Sequence, residues 1–300
     1  MDVKKTMRIG CCPFYPVPHE IAEDQQAEWF INRMADLGCR AAQTFGIKDD
    51  PDLLKRIKDL CQEKDIEMDC YADGVFSLVG AGAKIAREKL LTSIRIAKQA
   101  GTNIVRTGYG HLNMDTSRFA VDRPLAEHLK LLVDNLKEAA KIIEDQGMLL
   151  AIENHCDFTG RQCAQVSGEV DSKSVGCALD TANGFTVYSD PSDDIRALAP
   201  YTITTHMKDM KVVDSRSLSY LKIDGPMIPV LPIGVACGEG DVDLQLAIDE
   251  LVAHCPHAEG LHLIIEVGWD PALPGMDERQ TRYIEFHRSV AYLKRLIGVA

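Results

Sequence analysis

Eight short apolar runs, each followed by a helical stretch or by a gap of helix length, succeed one another along the chain, and few folds accommodate that alternation. The runs are Arg8 to Cys12, Arg40 to Phe45, Ile66 to Cys70, Asn103 to Thr107, Met148 to Glu153, Val175 to Asp180, Tyr201 to His206 and Leu261 to Glu266. Between them, apolar residues recur at helical spacing. From about Ala22 to Leu37 the stripe is Ala27, Phe30, Ile31, Met34 and Leu37. Similar patterns run over Pro51 to Lys64, Lys84 to Gln99, Leu125 to Asp145 and Glu278 to Leu296. Gly38 and Gly147 stop two of these helices, and Asp50-Pro51 opens another. Over 300 residues, that alternation predicts one (β/α)8 barrel domain spanning residues 1–300. No Gly-x-Gly-x-x-Gly opens a helix after the first strand, which counts against a dinucleotide fold. The exception to the rhythm is an extended loop, residues 211–241, between strands seven and eight, with Pro226, Pro229 and Pro232. Its Ile228, Val230, Leu231, Ile233 and Val235 are expected to seek burial, so it reads as a lid or as an oligomer or partner arm.

A formal charge of −12 argues against a nucleic-acid binder, which needs a basic surface to offset phosphate charge. There is neither a basic leader with an apolar run behind it nor an apolar stretch approaching about 18 residues. A cytoplasmic enzyme without membrane association is therefore expected. Ten cysteines occur without a Cys-x-x-Cys pair and mostly in apolar text, as reduced, buried small hydrophobes would. Cys156 follows His155 directly, but adjacent strand residues point to opposite faces, which disfavours a Cys-His nucleophile.

The fifth run, Met148-Leu149-Leu150-Ala151-Ile152, reads as a strand buried on both faces and ends in Glu153-Asn154-His155. A carboxylate there needs a cation, either a barrel arginine or a metal. Polar residues at the carboxyl ends of barrel strands converge on one pocket. Strands five to eight end in Glu153, Asp180, His206 and Glu266, which together predict one shared metal site. Three carboxylates and an imidazole suit Mn2+ or Mg2+, with Co2+ or Zn2+ as alternatives. Such an ion polarises a carbonyl or stabilises an enediolate, so that a proton alpha to the carbonyl can be removed. The base would be Glu153 or Glu266, from opposite sides of the substrate, or His155. His155 shares a face with Glu153 if the strand continues; it could equally donate to a sugar hydroxyl or orient a ligand.

The ordered set Glu153, Asp180, His206, Glu266 occurs within Ile-Glu-Asn-His, Leu-Asp-Thr-Ala-Asn and His-Met-Lys-Asp, and Gly238-Glu239-Gly240-Asp241-Val242-Asp243 precedes the last ligand. In these motifs the whole chain resembles the xylose-isomerase-like TIM barrel superfamily, and within it the sugar phosphate isomerase/epimerase branch. The resemblance implies that the four residues hold one divalent metal, Mn2+ above all, and that Glu153 and Glu266 double as the acid/base pair of an isomerase or epimerase. Ketose epimerases usually carry a histidine three residues after the Asp ligand and an arginine six after the His ligand. Here those positions are Asn183 and Val212. Those departures, His155 and the long segment 211–241 fit a second branch, the catalytic subunit of C-glycoside deglycosidases. Such lyases cleave 3-oxo-glycosides by metal-assisted enolisation and elimination, with a histidine as base and a small β-rich partner subunit. An inosose-type dehydratase belongs to the same class of reading. The related abasic-site endonucleases need three metals and more histidines, and the acidic total disfavours DNA. A non-catalytic barrel acting as a partner subunit is the remaining alternative.

Other mouth residues follow from strand ends. Lys208 would stabilise negative charge in the pocket, or would salt-bridge Asp180 or Asp209. Trp269 would stack on a sugar or aglycone, or pack into the wall. Tyr15, Phe45, Tyr71, Arg106, Tyr109 and His111 end strands one to four and are expected on the substrate side, and Asn183 is expected to bind substrate with them. Basic residues for a phosphate are sparse, which favours an unphosphorylated sugar or oxidised sugar as substrate. A homo-oligomer is expected.

Overall fold

The computed structural model describes residues 2–44, 46–109, 114–214, 230–268 and 272–299. Eight parallel strands close into a barrel: β1 (Arg8–Cys11), β2 (Ala41–Gln43), β3 (Glu67–Tyr71), β4 (Ile104–Gly108), β5 (Leu149–Glu153), β6 (Val175–Asp180), β7 (Thr202–Met207) and β10 (His262–Ile265). Each strand pairs with its neighbour in sequence, and β10 closes the ring on β1 with Cys11 opposite Ile265. Helices α1 (Gln26–Asp36), α2 (Pro51–Lys64), α3 (Ala83–Ala100), α4 (Leu125–Asp145), α5 (Gly160–Val170), α6 (Pro191–Leu198), α7 (Leu244–His254) and α8 (Glu278–Ile297) form the outer layer.

Local chemistry fixes the helix ends. The Asp50 carboxylate accepts from the Asp52 and Leu53 amides with Pro51 at the first helical position, so α2 begins where the acid-proline pair predicts. Reciprocal capping boxes, Thr159 with Gln162 and Asp277 with Gln280, start α5 and α8. The amino-terminal part of the stretch read as one helix from Ala22 is instead a 3-10 turn, Glu23–Gln25, ahead of α1. Helices α5, α6 and α7 fill gaps that had only the right length. No helix among the described residues is long and apolar enough to cross a membrane. All ten thiols are free, and all but Cys156 and Cys163 are buried.

The ends of the segment between barrel strands seven and eight form an antiparallel ribbon, β8 (Asp209–Asp214) with β9 (Val230–Val235). Burial there is partial, contrary to expectation: Val230 is half exposed, and Leu231, Ile233 and Val235 are only partly covered, because two strands alone have no second layer to pack on. Ile228 and residues 215–229 lie outside the described residues. Asp209 ties the ribbon down. Its carboxylate accepts from the amides of Gly238 (2.8 Å), Gly240 (2.9 Å) and Val242 (3.1 Å). A Cβ on Gly240 would lie 2.2 Å from Asp209 Oδ1, so only glycine fits there. Asp241 receives the Val212 amide and Asp243 caps α7. The Gly-Glu-Gly-Asp-Val-Asp motif is thus the clasp of the ribbon.

Below the barrel mouth, Asp69 of β3 crosses the interior. It accepts from Thr204 Oγ1 at 2.5 Å and faces His262 Nδ1 at 2.7 Å, while His262 Nε2 meets Glu67 at 3.0 Å. Burial opposes a charged His262, but the carboxylates of Asp69 and Glu67 outweigh it and raise the imidazole to about 9. A raised histidine contributes stability that is complete below its unfolded value near 6.5 and is lost as pH rises through the folded value. In urea unfolding, His262→Gln should therefore cost roughly 3 kcal/mol at pH 6, as breaking a buried ion pair does. The difference from wild type should shrink between pH 7 and 10; a penalty independent of pH would show that the imidazolium is not what holds these strands.

Candidate metal centre

Glu153, Asp180, His206 and Glu266 offer ligand atoms that all lie within 4.8 Å of one another, and all four side chains are buried. Each sits within one residue of the carboxyl end of its strand. A β-bulge brings two of them level. Cys177 pairs with Thr202 but Ala178 pairs with Thr204, so β7 carries one extra residue. Without that residue Asp180 would oppose Thr205; with it, Asp180 lies opposite His206.

Beyond β5 the strand does not continue. Asn154 turns to β6, donating to the Asp180 carbonyl at 2.9 Å and accepting the Asp180 amide at 2.7 Å. Asp180 Oδ1 takes the amides of Ala182 and Asn183, which leaves Oδ2 for the cluster. His206 Nε2 lies 2.9 Å from Gln43 Oε1. That bond turns Nδ1 toward the carboxylates, at 2.6 Å from Glu266, 3.4 Å from Glu153 and 3.9 Å from Asp180. Gln43 was missed in the sequence because it ends the shortest barrel strand, in text with no ligand-like residue beside it.

Two cations share the cluster. Arg106 Nη1 is 3.1 Å from Glu153 Oε2. Lys208 Nζ is 3.5 Å from Asp180 and 3.4 Å from Glu266, and donates to Asn183 Oδ1 at 3.1 Å. Of the alternatives for Lys208, the salt bridge goes to Asp180 and not to Asp209, which is occupied by the ribbon amides. Burial pushes each carboxylate up, as it does at Asp180. At Glu266 the charges of Lys208 and His206 reverse this and bring the value down to about 2; at Glu153, His206, His155 and Arg106 hold the carboxyl well below its ordinary range. Burial likewise opposes charge on His206, yet Glu153 and Glu266 lift it to about 10.

The donor set fits a divalent ion. His206 Nδ1 and Glu266 Oε2 are buried and 2.6 Å apart, so once His206 gives up its proton two lone-pair carriers aim at one region. Three buried carboxylates with an imidazole are hard donors of the kind Mg2+ and Mn2+ take.

The other expected site residues fall into three groups. His155 lies past the end of β5, its Nδ1 3.5 Å from the fully buried Asp157. Asn183 Nδ2 donates to Glu153 at 3.3 Å, and Cys156 Sγ lies 3.4 Å from Asn183 Oδ1. These join Arg106 and Lys208 at the cluster, and Cys156 reaches it because the chain leaves strand geometry after Glu153. Tyr15 and Tyr109 are tied into aromatic packing. Tyr15 is enclosed between α1 and α8, its hydroxyl accepting from Arg33 Nε at 3.0 Å. Tyr109 stacks on Phe158 and meets Phe76 edge-on. Phe45, His111 and Trp269 lie outside the described residues.

With fold and site in view, the comparisons are consistent. The sequence model of the xylose isomerase-like TIM barrel family matches residues 31–289, and the chain belongs to that family. An uncharacterized protein of Escherichia coli K12, YihM, is 24% identical over 89 residues, 30% of this chain and 27% of YihM, so the match spans about a quarter of that relative. The probable 3-DHS dehydratase AsbF of Bacillus anthracis superposes with a TM-score of 0.65 at 15% identity, covering 95% of this chain and 99% of that one. A D-psicose 3-epimerase determined in the presence of D-fructose gives a TM-score of 0.68 at 15% identity, covering 97% and 100%.

Titration of the protein with Mn2+ should give one site per chain. Asp180→Asn should weaken it at least about 100-fold, and Gln43→Leu about 10- to 100-fold, as loss of a group orienting a ligand does. Because His206 must lose its proton to bind, calorimetry near pH 7 should show proton release that scales with buffer ionisation enthalpy. Undiminished Mn2+ affinity in Asp180→Asn would remove the site.

Proposed function

For a chain of this family, we propose a divalent-metal-dependent isomerase or epimerase of an unphosphorylated sugar, acting by removal of the proton alpha to a carbonyl, with Mn2+ as the resident ion. The observation that carries the reading is the convergence of Glu153, Asp180, His206 and Glu266 at the barrel mouth, with Lys208 beside them. A bound ion supplies Lewis-acid polarisation of the carbonyl and offsets the charge of an enediolate. Around it, the chain's own groups divide the work. Arg106 holds Glu153 ionised and fixed, and Asn183 holds its other oxygen. Glu266, kept ionised by Lys208 and His206, is available as a proton acceptor from the opposite side. Lys208 presents a cation where negative charge develops.

A second reading, a lyase acting on an oxidised sugar, has its own support. Asn183 engages Glu153 and Lys208 and does not stand free for a ketose, and Val212 sits exposed on the ribbon, its amide donating to Asp241. His155 is backed by Asp157, the arrangement of a positioned base: burial lowers its affinity for a proton, and Asp157 and Glu153 more than restore it. In that reading His155 takes the proton and elimination follows, as a dehydratase or a 3-oxo-glycoside deglycosidase requires. The ribbon would then face a partner subunit, and in the first reading a second copy or the substrate.

Both reactions begin with the same proton. In D2O, the Mn2+-loaded protein should place deuterium at the alpha carbon of a ketose and yield its epimer or isomer. Elimination from a 3-oxo-glycoside with no turnover of ketoses selects the lyase, and no turnover of either class contradicts both. His155→Ala should lower kcat about 100- to 10,000-fold, the range of a general base, while Mn2+ affinity is kept. Loss of Mn2+ instead would make His155 part of the metal's support.

A further inference from the structure

Away from the metal cluster, a groove of about 960 Å³ runs between α1 and α8, under the loop that follows β1. Trp29 and Tyr283 form its aromatic walls and Met276 caps one end, with Tyr283 and Met276 both about 40% exposed. Exposed aromatics in a concave site are costly to leave in water and are common where a planar ligand packs.

Its charge sets it apart. The chain carries a net −12, yet Arg33 and Arg279 line this groove, and among the described residues neither has a carboxylate within ion-pair distance. Arg33 is held by phenols instead. Its Nε donates to Tyr15 and its Nη2 to Tyr283, both at 3.0 Å, with His287 Nε2 a further 3.4 Å away. Tyr283 stacks on His287 at 4.2 Å and lies under the guanidinium. Arg279 is fixed by the Val17 carbonyl. Among the described residues, Asp36 is the one carboxylate on the groove wall, beyond ion-pair reach of either arginine. A smaller hollow of about 300 Å³ adjoins it through Pro16 and Arg279 and adds Arg282, which is weakly paired with Glu278 at 3.9 Å.

Fixed guanidinium groups with no carboxylate in ion-pair reach, set against aromatic faces, form a receptor for a flat molecule that carries negative charge. We propose that the α1–α8 groove binds a planar aromatic anion, a carboxylate, sulfonate or phenolate, with Trp29 and Tyr283 against the ring and Arg33 and Arg279 on the charge. The site is independent of the reaction at the metal centre.

Two probes of one shape test it: 8-anilinonaphthalene-1-sulfonate and its uncharged relative N-phenyl-1-naphthylamine, titrated by fluorescence into the full chain with and without Mn2+. The sulfonate should bind one saturable site at least about 10-fold more tightly than the neutral probe, the margin expected of charge-assisted contacts. Arg33→Met with Arg279→Met should abolish that margin without changing affinity for the neutral probe, in protein whose melting transition is intact. If losing the phenol contacts of Arg33 unfolds the chain, Arg279→Met alone should narrow the margin by about 3-fold or more, roughly one exposed charged contact. Equal affinity for both probes overturns the proposal, as does a margin that survives the arginine variants. Exclusion of both probes from a dimer that Tyr283→Glu converts to monomer also overturns it, and assigns the groove to a second copy.

Discussion

Three carboxylates meet at the barrel mouth, and at an effective dielectric near 20 any two of them at about 5 Å repel by about 3 kcal/mol. Arg106, Lys208 and a proton on His206 lie among Glu153, Asp180 and Glu266 and offset that repulsion. Of these three positive charges, the proton is the exchangeable one. A divalent ion bound there would replace it with a larger charge and leave the cluster with one more positive charge, which would suit the proposed reaction, in which a neutral sugar acquires one negative charge.

The scaffold around the cluster serves to hold that balance still. The bulge in β7 sets Asp180 opposite His206. Asn154 extends the β5–β6 ladder by a side chain where the backbone has already turned away, and Gln43 fixes one ring nitrogen of His206 so that the other faces inward. One layer down, Asp69, His262 and Thr204 bridge β3, β10 and β7 across the interior. Polar groups so buried are costly unless satisfied, and their mutual pairing explains how a barrel with this much internal charge remains packed.

The barrel and its four ligands were legible because they rest on short-range signals. Apolar runs of strand length, ending in carboxylates or imidazole at regular intervals, do not need long-range information. Pro51–Lys64 is readable to the residue because its Asp50 cap and its stripe are local, and Leu125–Asp145 because its apolar stripe is. What escaped depends on partners distant in sequence. Nothing near Tyr15 announces that Arg33 and His287 will claim its hydroxyl, and nothing near Gln43 points to His206, 163 residues on. The ribbon was misjudged because apolar content predicts a wish for burial but not whether a surface is available. In the sequence the Gly-Glu-Gly-Asp motif is only a family mark; in the fold its amides receive Asp209.

The central claim is that one divalent ion is held by these four side chains in place of the His206 proton. Anomalous diffraction at the manganese edge, from crystals equilibrated with Mn2+, tests it most directly. The account predicts one peak within roughly 2.0–2.3 Å of oxygens from Glu153, Asp180 and Glu266 and of His206 Nδ1, the usual range for such hard ions, with Gln43 still on Nε2. An empty cluster with Lys208 and His206 still bridging the carboxylates, or a peak bound elsewhere in the barrel, would contradict it.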